Sequence, residues 1–550
     1  MLMTGAQILI EELVNQGVET VFGYPGGTVL NIYDELYKNA HRINHVISAH
    51  EQGAAHAADG YSRASGKTGV VIATSGPGAT NLVTGIANAY LDSVPMIAIT
   101  GNVATELIGK DSFQEVDTVG ITQPIVKHNF VVRDINMLES TIKEAFLIAS
   151  SGRKGPVLID IPKSIQLQTC EYTNTPVKLQ SYHEKPHNDF EAALDKIKNC
   201  TKPYIYCGGG VIASGAENEV MELSKRLSAP VGLSMMGITA IPNSYSLNLG
   251  MCGMHGKYAA SKAQSECDLM IAVGVRFSDR ATGKIAEYTK NCTVIHIDID
   301  NAELDKNVKS QIGLCGDVKE ILNVLLNDIQ PFKNSNWLDE IESYKKYDVL
   351  EADSRFSPHM IIETVNDWAD KNTVVATDVG QHQMWTMQFY KFEKSKTLLT
   401  SGGLGAMGFG LGAAIGGCMA KGKKKTILFT SDGSFGMNLT ELATAVSQNL
   451  PIVIIILNNG VLGMVRQWQT MFFDERYSQT TLNRKTNFSA VAKAFGADGY
   501  RVQSLSELSD ALAQAKGDVP CVIDCMIDMD EKVLPMIPPG GSIKDIVLKG

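Results

Sequence analysis

The sequence predicts an α/β protein made of three doubly wound parallel-sheet domains. Three observations predict it. Short, continuous apolar runs recur along the chain, as strands covered on both faces do. Each run is followed by Gly or a turn and then by a helical stretch, the rhythm of parallel sheets. Two polar stretches divide the 550 residues into blocks of similar size, in keeping with a prior of about 150 residues per domain.

The first block, 1–170, opens on an amphipathic stretch with Glu11 and Glu12 where a signal peptide would be basic. Its predicted strands are 70–73, 96–100 and 157–161. A polar linker is predicted over 167–189. The second block, 190–330, has strands at 204–207, 269–273 and 294–299. A second linker, charged and partly helical, covers 328–357. The third block, 355–550, has strands at 373–376, 426–429, 452–457 and 521–524, with a helix over 440–448. No sequence repeat is obvious, although the first and third blocks are free to share a fold without shared residues.

Composition excludes several classes of function. Hydrophobic residues are 44% and charged residues 20%, a globular balance. With 49 basic and 59 acidic side chains the formal charge is −10, which argues against nucleic acid as a partner. The densest basic run, Lys421 to Lys425, reads as a solvated turn. The longest strongly apolar run, 451–457, is far too short to cross a bilayer. Ten Cys occur without a CxxC pair or zinc spacing and read as reduced, mostly buried thiols of a cytoplasmic protein.

The strongest chemical signal lies in the third block. Ser431-Asp432-Gly433-Ser434 follows one predicted strand and Asn458-Asn459-Gly460 ends the next. Asp432 and Asn459 therefore stand at the carboxyl ends of two strands in one strand–helix–strand unit, the edge where open α/β sheets bind ligands. Each offers oxygen to a hard cation such as Mg²⁺. Gly433 and Ser434 open a helix, whose N–H groups favour phosphate. Taken singly, Asp-Gly and Asn-Asn-Gly are ordinary turn formers. Their pairing across one unit singles them out.

This pair resembles the metal and diphosphate motif of thiamine diphosphate enzymes, Gly-Asp-Gly followed by Asn-Asn, with Ser431 in place of the first Gly. Asp378-Val379-Gly380-Gln381-His382-Gln383 resembles the family's diphosphate loop, with Gln381 and His382 as polar contacts. Gly402-Gly403-Leu404-Gly405-Ala406-Met407-Gly408 resembles the loop in which a large apolar residue, here Met407, bends the cofactor. Ordinary core filling is the commoner fate of Met. In the first block, His50-Glu51-Gln52-Gly53 resembles the segment whose Glu holds a proton against the aminopyrimidine ring. Such a carboxyl works in an apolar setting that keeps it protonated near neutrality. A Glu at a helix start otherwise serves the dipole. Tyr24-Pro25-Gly26-Gly27 and Thr74-Ser75-Gly76-Pro77-Gly78 match the first domain of the family. Pro25, Gly26, Pro77 and Asn81 are the pocket residues the resemblance implies there.

Within that family the whole chain resembles the acetolactate synthases. Gln114, Lys163, Arg276 and Trp468 match synthase positions with catalytic roles. Gly208-Gly209-Gly210, Met254-His255-Gly256, Val275-Arg276-Phe277-Ser278-Asp279-Arg280 and Ile295 to Asp300 resemble the FAD-binding middle domain of the anabolic enzymes. Their usual Arg-Phe-Asp-Asp-Arg has Ser278 in place of its first Asp. Without the resemblance, Arg276 and Arg280 would read as salt-bridge formers and the glycines as tight packing. With it, Gly208, Gly209, Gly210, His255, Gly256, Arg276, Arg280, Asp298 and Asp317 face an FAD of structural role. Pro535 to Gly540 resembles the tail that follows the third domain.

The resemblance implies pyrimidine-binding, FAD-binding-like and diphosphate-binding domains in that order, with thiamine diphosphate, Mg²⁺ and FAD as cofactors. It implies decarboxylation of pyruvate and condensation with a second 2-keto acid, pyruvate or 2-ketobutyrate. It also implies a homodimer or dimer of dimers, with room for a small regulatory subunit. The rivals are an FAD-linked pyruvate oxidase, a glyoxylate carboligase and a catalytically silent protein on the same fold. Glyoxylate carboligases lack a Glu at the position of Glu51. Intact Glu51, Asp432 and Asn459 speak against the silent protein.

Overall fold

The computed structural model describes residues 1–176, 188–348, 355–515, 517 and 519–548. Each block forms one six-stranded sheet, and every pairing within the three sheets is parallel. The first sheet runs Asn44–Ile47, Thr20–Gly23, Gly69–Ala73, Met96–Asn102, Pro156–Pro162, His128–Val131. The third runs Leu398–Leu399, Val374–Thr377, Thr426–Ser431, Ile452–Asn458, Cys521–Met526, Asp498–Val502. Numbered within each domain, both orders are 2-1-3-4-6-5. The first and third blocks therefore do share a topology. The middle sheet runs Asn248–Met251, Val231–Leu233, Pro203–Cys207, Leu269–Val273, Thr293–Asp298, Ile312–Cys315, the order 3-2-1-4-5-6. In all three sheets the strand order reverses beside the domain's first strand, which opens a crevice at the carboxyl edge.

The predicted linkers are partly built into domains. Strand Thr169–Glu171 pairs antiparallel with Leu2–Thr4 and ties the end of the first block to its beginning. Helix Ser335–Lys345 packs Trp337 and Ile341 into the core of the middle domain. Asp348 then accepts hydrogen bonds from the N–H groups of Tyr258 (2.6 Å) and Ala259 (2.9 Å), capping helix Tyr258–Glu266. The rest of the two linker predictions, 177–187 and 349–354, lies outside the described residues. The helix predicted over 440–448 begins earlier. Asp432–Asn438 is already helical, a 3₁₀ turn follows at Leu439–Glu441, and Leu442–Ser447 completes the segment. Ser431 explains the early start: its hydroxyl accepts the Ser434 N–H (3.3 Å) as a helix N-cap. All ten cysteines are free thiols. No described helix is long and apolar enough to cross a membrane.

The first and third domains meet through two helices of small residues, Glu51–Ser65 and Phe409–Ala420. A Cβ on Gly60 would overlap the Ala413 carbonyl, and one on Gly416 would overlap the Ala57 carbonyl. The backbones touch where side chains would normally separate them. Beside this contact lies a buried polar network. Arg63 pairs with Asp59 and donates to Asp92 (2.9 Å). Asn88 donates to Asp59 (2.9 Å) and accepts from the Ser401 hydroxyl (2.5 Å). Asp92 also accepts the N–H groups of Gly402 (3.1 Å) and Gly403 (2.7 Å). The first domain thus grips the loop that carries Met407.

Gly60→Val places two methyl groups on a carbonyl that cannot withdraw. The expected cost is about 1–3 kcal/mol of overpacking, seen as a lower apparent midpoint of urea unfolding. Gly27→Ala, where an added Cβ meets nothing within 4 Å, leaves the midpoint unchanged. Equal midpoints for Gly60→Val and the parent would mean that the helices have room to separate.

Candidate active site

At the carboxyl edge of the third sheet, part of the predicted motifs lines one cavity of about 80 Å³, and Asp432, Gly433, Ser434 and Gly405 stand outside its lining. Gly380, Gln381, His382, Met407, Ser431 and Asn459 all line it. Asp432 opens its helix directly after strand Thr426–Ser431, beside the point where the strand order reverses. Its Oδ1 is buried without a hydrogen-bond partner among the described residues. Burial, with the charge of Asp524 adding to it, pushes the Asp432 carboxyl up to about 6. An unbalanced buried carboxylate beside an amide oxygen is a donor set that suits a hard divalent cation. Asn459 completes it: the amide nitrogen donates to Gln381 Oε1 (3.3 Å), and its oxygen accepts the Val461 N–H (3.2 Å) with a lone pair to spare.

The neighbouring loops are held by interactions that spacing alone does not reveal. Asp378, buried at the end of strand Val374–Thr377, accepts the N–H groups of Val379 (2.9 Å), Gly408 (2.8 Å) and Gly410 (3.3 Å). Burial pushes its carboxyl up to about 6, against the pull of those amides. Asp378 therefore ties the Met407 loop to the edge of the sheet. Gly380 has φ 148°, open to glycine and strained for other residues. Ser434 donates its hydroxyl to Val379 O (2.9 Å), so it shapes this loop. Gln381 donates to Gln467 Oε1 (3.0 Å) and Glu531 O (2.8 Å), and its amide locks the cavity wall. His382 differs. Its Nε2 is buried without a partner, and burial holds the ring neutral with a pKa of about 3. Of the two polar contacts expected in this loop, His382 is the one with a free hydrogen-bonding atom. Gly433 approaches Met407: an added Cβ would stand 3.9 Å from its terminal methyl. Gly405 has φ 67°.

A matching group forms at the edge of the first sheet, where Tyr24-Pro25-Gly26 and Thr74 to Pro77 leave adjacent strands. Thr28 and Thr74 hydroxyls bond at 2.9 Å, and a Cβ on Gly26 would collide with Thr74. Glu51 is half-buried at the first position of its helix. Asn81 Nδ2 donates to Glu51 Oε2 (2.9 Å), while Oε1 lies toward Gly78, 3.3 Å from where a Cβ would be. Gln114 reaches the same place with φ 59°, its carbonyl against Gly76. Lys163 starts helix Lys163–Leu167 at the end of strand Pro156–Pro162 and is exposed. No residue of this group lines the cavity of the third domain.

The middle domain reaches the third through Arg280 and the tail. The Arg280 guanidinium lies 5.5 Å from the centre of the Trp468 ring. Trp468, on helix Gly463–Phe472, is half-buried, edge-on to Phe472 at 6.0 Å, and its Nε1 has no partner among the described residues. Arg276 points elsewhere. Burial lowers its pKa, Arg153 adds to that, and Asp92, Glu303 and Asp298 oppose it. Its guanidinium has no hydrogen-bond or ion-pair partner among the described residues. The expected salt-bridge alternative holds only for Arg280, weakly, with Asp279 at 3.7 Å. Asp298 ends strand Thr293–Asp298, and burial raises its carboxyl to about 6. His255 Nδ1 is buried without a partner, and burial followed by Arg280 lowers its pKa to about 4. Gly208 and Gly210 press against Gly274, where an added Cβ would strike backbone, whereas a Cβ on Gly209 would stand 3.3 Å from the Met236 side chain. Gly256 turns tightly, its N–H donating to Gly253 O (2.9 Å). The Asp317 carboxylate is engaged as the N-cap of helix Val318–Asp328. The tail closes over this domain, with Ile537 N–H donating to Met254 O (2.8 Å).

Known proteins carry the same three parts in the same order. Residues 3–121 match the family model "Thiamine pyrophosphate enzyme, N-terminal TPP binding domain", 190–325 its central domain and 378–525 its C-terminal TPP binding domain. The chain is 43% identical to the probable acetolactate synthase large subunit of Methanocaldococcus jannaschii, over 99% of this chain and 95% of that protein. It is 42% identical to the acetolactate synthase isozyme 2 large subunit of Escherichia coli, over the full length of both. The large subunit of Porphyra purpurea is 44% identical, over 98% of this chain and 94% of its own. Identity at this level from end to end, through all three domains, means that the chain belongs to the acetolactate synthase large-subunit family of thiamine pyrophosphate enzymes.

Proposed function

We propose that this chain is the catalytic subunit of an acetolactate synthase of branched-chain amino acid biosynthesis. It decarboxylates pyruvate and joins the remaining two-carbon unit to a second 2-keto acid. Pyruvate as acceptor gives 2-acetolactate, and 2-ketobutyrate gives 2-aceto-2-hydroxybutyrate. The observation that carries the reading is the buried Asp432 Oδ1, unpartnered among the described residues, at the strand end next to the cavity that Ser431, Asn459, His382 and Met407 line. When bound, thiamine diphosphate supplies the carbon nucleophile and the electron sink for decarboxylation. Asp432 and Asn459 would hold Mg²⁺, with the diphosphate oxygens and water filling its shell. His382, Gly380 and Gly433 would face the diphosphate, and Met407 would support the bend of the cofactor. Glu51 would hold a proton at Oε1, the oxygen that Asn81 leaves free. Gln114 and Lys163 would stand at the substrate end of the first-domain edge. An FAD of structural role would lie at the middle-sheet edge among Gly208 to Gly210, His255, Gly256, Arg276, Arg280 and Asp298.

One feature supports a second copy of the chain as partner. Glu51 belongs to the first domain, while every residue lining the cofactor cavity belongs to the third. A homodimer, or a dimer of dimers, would bring the two halves together across subunits. The relatives are named large subunits, which supports a small regulatory partner. Ten free thiols suit a reducing cytoplasm.

Pyruvate with thiamine diphosphate and Mg²⁺ should yield acetolactate without an electron acceptor. Acetate or acetyl phosphate formed only with an acceptor would instead indicate an oxidase. Glu51→Gln keeps the volume and removes the titrating proton. It should lower kcat by about 10²-fold or more while cofactor affinity persists; near-parent turnover would remove Glu51 from the chemistry. Asp432→Ala should abolish Mg²⁺-dependent quenching of tryptophan fluorescence by thiamine diphosphate, and an unchanged titration would mean that the metal lies elsewhere.

Trp468 would wall the acceptor pocket against the extra methyl of 2-ketobutyrate, a contact worth about 1–3 kcal/mol. With both keto acids competing, Trp468→Leu should lower the ratio of acetohydroxybutyrate to acetolactate about tenfold. Arg276, whose guanidinium has no partner among the described residues, would take the acceptor carboxylate by a two-pronged bond, so Arg276→Lys should weaken both products alike. A parent product ratio in the Trp468 variant would make the ring merely structural.

A further inference from the structure

Glu441 is a buried acid outside every motif. It is 1% exposed and lies in the 3₁₀ turn Leu439–Glu441 of the third domain. Its carboxylate does not stay in that domain. Oε1 accepts the His50 N–H (2.9 Å), and Oε2 accepts the Ala49 N–H (3.2 Å). Thr444 Oγ1 donates to the same Oε2 (2.7 Å) and fixes the rotamer. Ala49 and His50 immediately precede helix Glu51–Ser65. A Cβ on Gly53 would overlap the Glu441 carboxyl, so the first turn of that helix is shaped to seat it.

We propose that Glu441 is the positioning residue for Glu51, fixing its backbone from across the domain boundary. The inference rests on the proton-holding role proposed above for Glu51. The body of the helix needs no such help, because its Gly and Ala face is already locked against Phe409–Ala420. His50 already caps the helix by accepting the Gln52 N–H (3.1 Å). What remains free is the approach of residues 49–51, and that is where Glu441 acts. Asn81 fixes the other end of Glu51 by holding Oε2. Glu51 is thus held at two points, the backbone by Glu441 and the carboxyl by Asn81. Glu441 also lies in the segment that begins at Asp432, so one short stretch carries the proposed metal ligand and the anchor of the acid.

Two measurements test this on Glu441→Gln, Glu51→Gln, the double variant and Thr444→Val. In metal-free and cofactor-free protein, amide hydrogen exchange over residues 48–53 should speed up about tenfold in Glu441→Gln, since hydrogen bonds to a carboxylate are among the stronger ones. In loaded enzyme, Glu441→Gln should lower kcat on the order of tenfold, with KM for pyruvate and the cofactor affinity changed less than about twofold. Thr444→Val, which leaves the carboxylate in place but frees its rotamer, should move both readouts the same way by less. In the Glu51→Gln background, adding Glu441→Gln should change kcat by less than about twofold, because the residue acts through Glu51. An equal loss in both backgrounds would make Glu441 a structural residue and overturn the proposal, as would faster exchange with parent kcat. If Glu441→Gln fails to fold, Thr444→Val in the two backgrounds carries the same comparison. Failure of the underlying reading is separately visible, as near-parent turnover in Glu51→Gln alone.

Discussion

Two helices packed backbone to backbone set the relation between the first and third domains. Gly60 meets the Ala413 carbonyl and Gly416 the Ala57 carbonyl at distances that admit no Cβ. Close approach of this kind gives dispersion contacts and excludes water, but it has no tolerance for sliding. The rest of the site inherits that rigidity. Arg63 and Asp59 stand on the first helix, and through Asp92 and Asn88 they reach Ser401, Gly402 and Gly403. Asp378 holds the far end of the same loop at Gly408 and Gly410. Met407 is therefore suspended between two buried carboxylates, one from each domain. A loop rich in Gly would otherwise sample many conformations; here it is spanned by fixed acceptors.

The shared strand order of the outer domains gives the fold two crevices of the same kind. Their contents differ along chemical lines. The third domain sets a buried, unbalanced carboxylate in its crevice and surrounds it with amides and a neutral imidazole. That environment favours a cation and the anion it carries. The first domain places a half-buried acid at a helix start, with one oxygen occupied by Asn81. Each crevice carries a carboxyl group, and no residue of the first lines the cavity of the third. Such a division makes the domain interface more than a scaffold, since any shift of one helix against the other moves the contents of both crevices.

The parts of this architecture that were legible in the sequence follow from burial. The ten predicted strands all lie in sheet interiors, where both faces are covered and the run is continuously apolar. All six edge strands went unread: 44–47, 128–131, 248–251, 312–315, 398–399 and 498–502. One side of each is open, and exposed or half-exposed residues interrupt the pattern, as in Asn44–Ile47 and Asp498–Val502. Two interior strands, Thr20–Gly23 and Val231–Leu233, are too short to stand out. At the edge of the third sheet, the placement of Asp432 and Asn459 was legible because motif and strand end coincide, whereas Met407 was singled out only by the resemblance of its loop. Ser431 could have been read as an N-cap from its place before the helix. Asp92 and Glu441 could not, because their partners in the other domain lie more than 300 residues away in sequence. Local spacing carries no trace of such contacts.

The middle domain reaches the helix beside the third-domain crevice. Trp468 projects from the helix that begins at Gly463, and Gly463 lines the cavity. Its indole meets Arg280 of the middle domain, so the ring is held from outside its own domain. Gln388 donates to His255 O (2.8 Å) and Ile537 to Met254 O, which fasten the same middle-domain loop to the third domain and to the tail. The loop that resembles a flavin site is thereby also a structural clasp. If FAD binds there, as proposed above, it would order His255 and Arg280 together, and through the packing of one guanidinium on one indole it would order Trp468 as well.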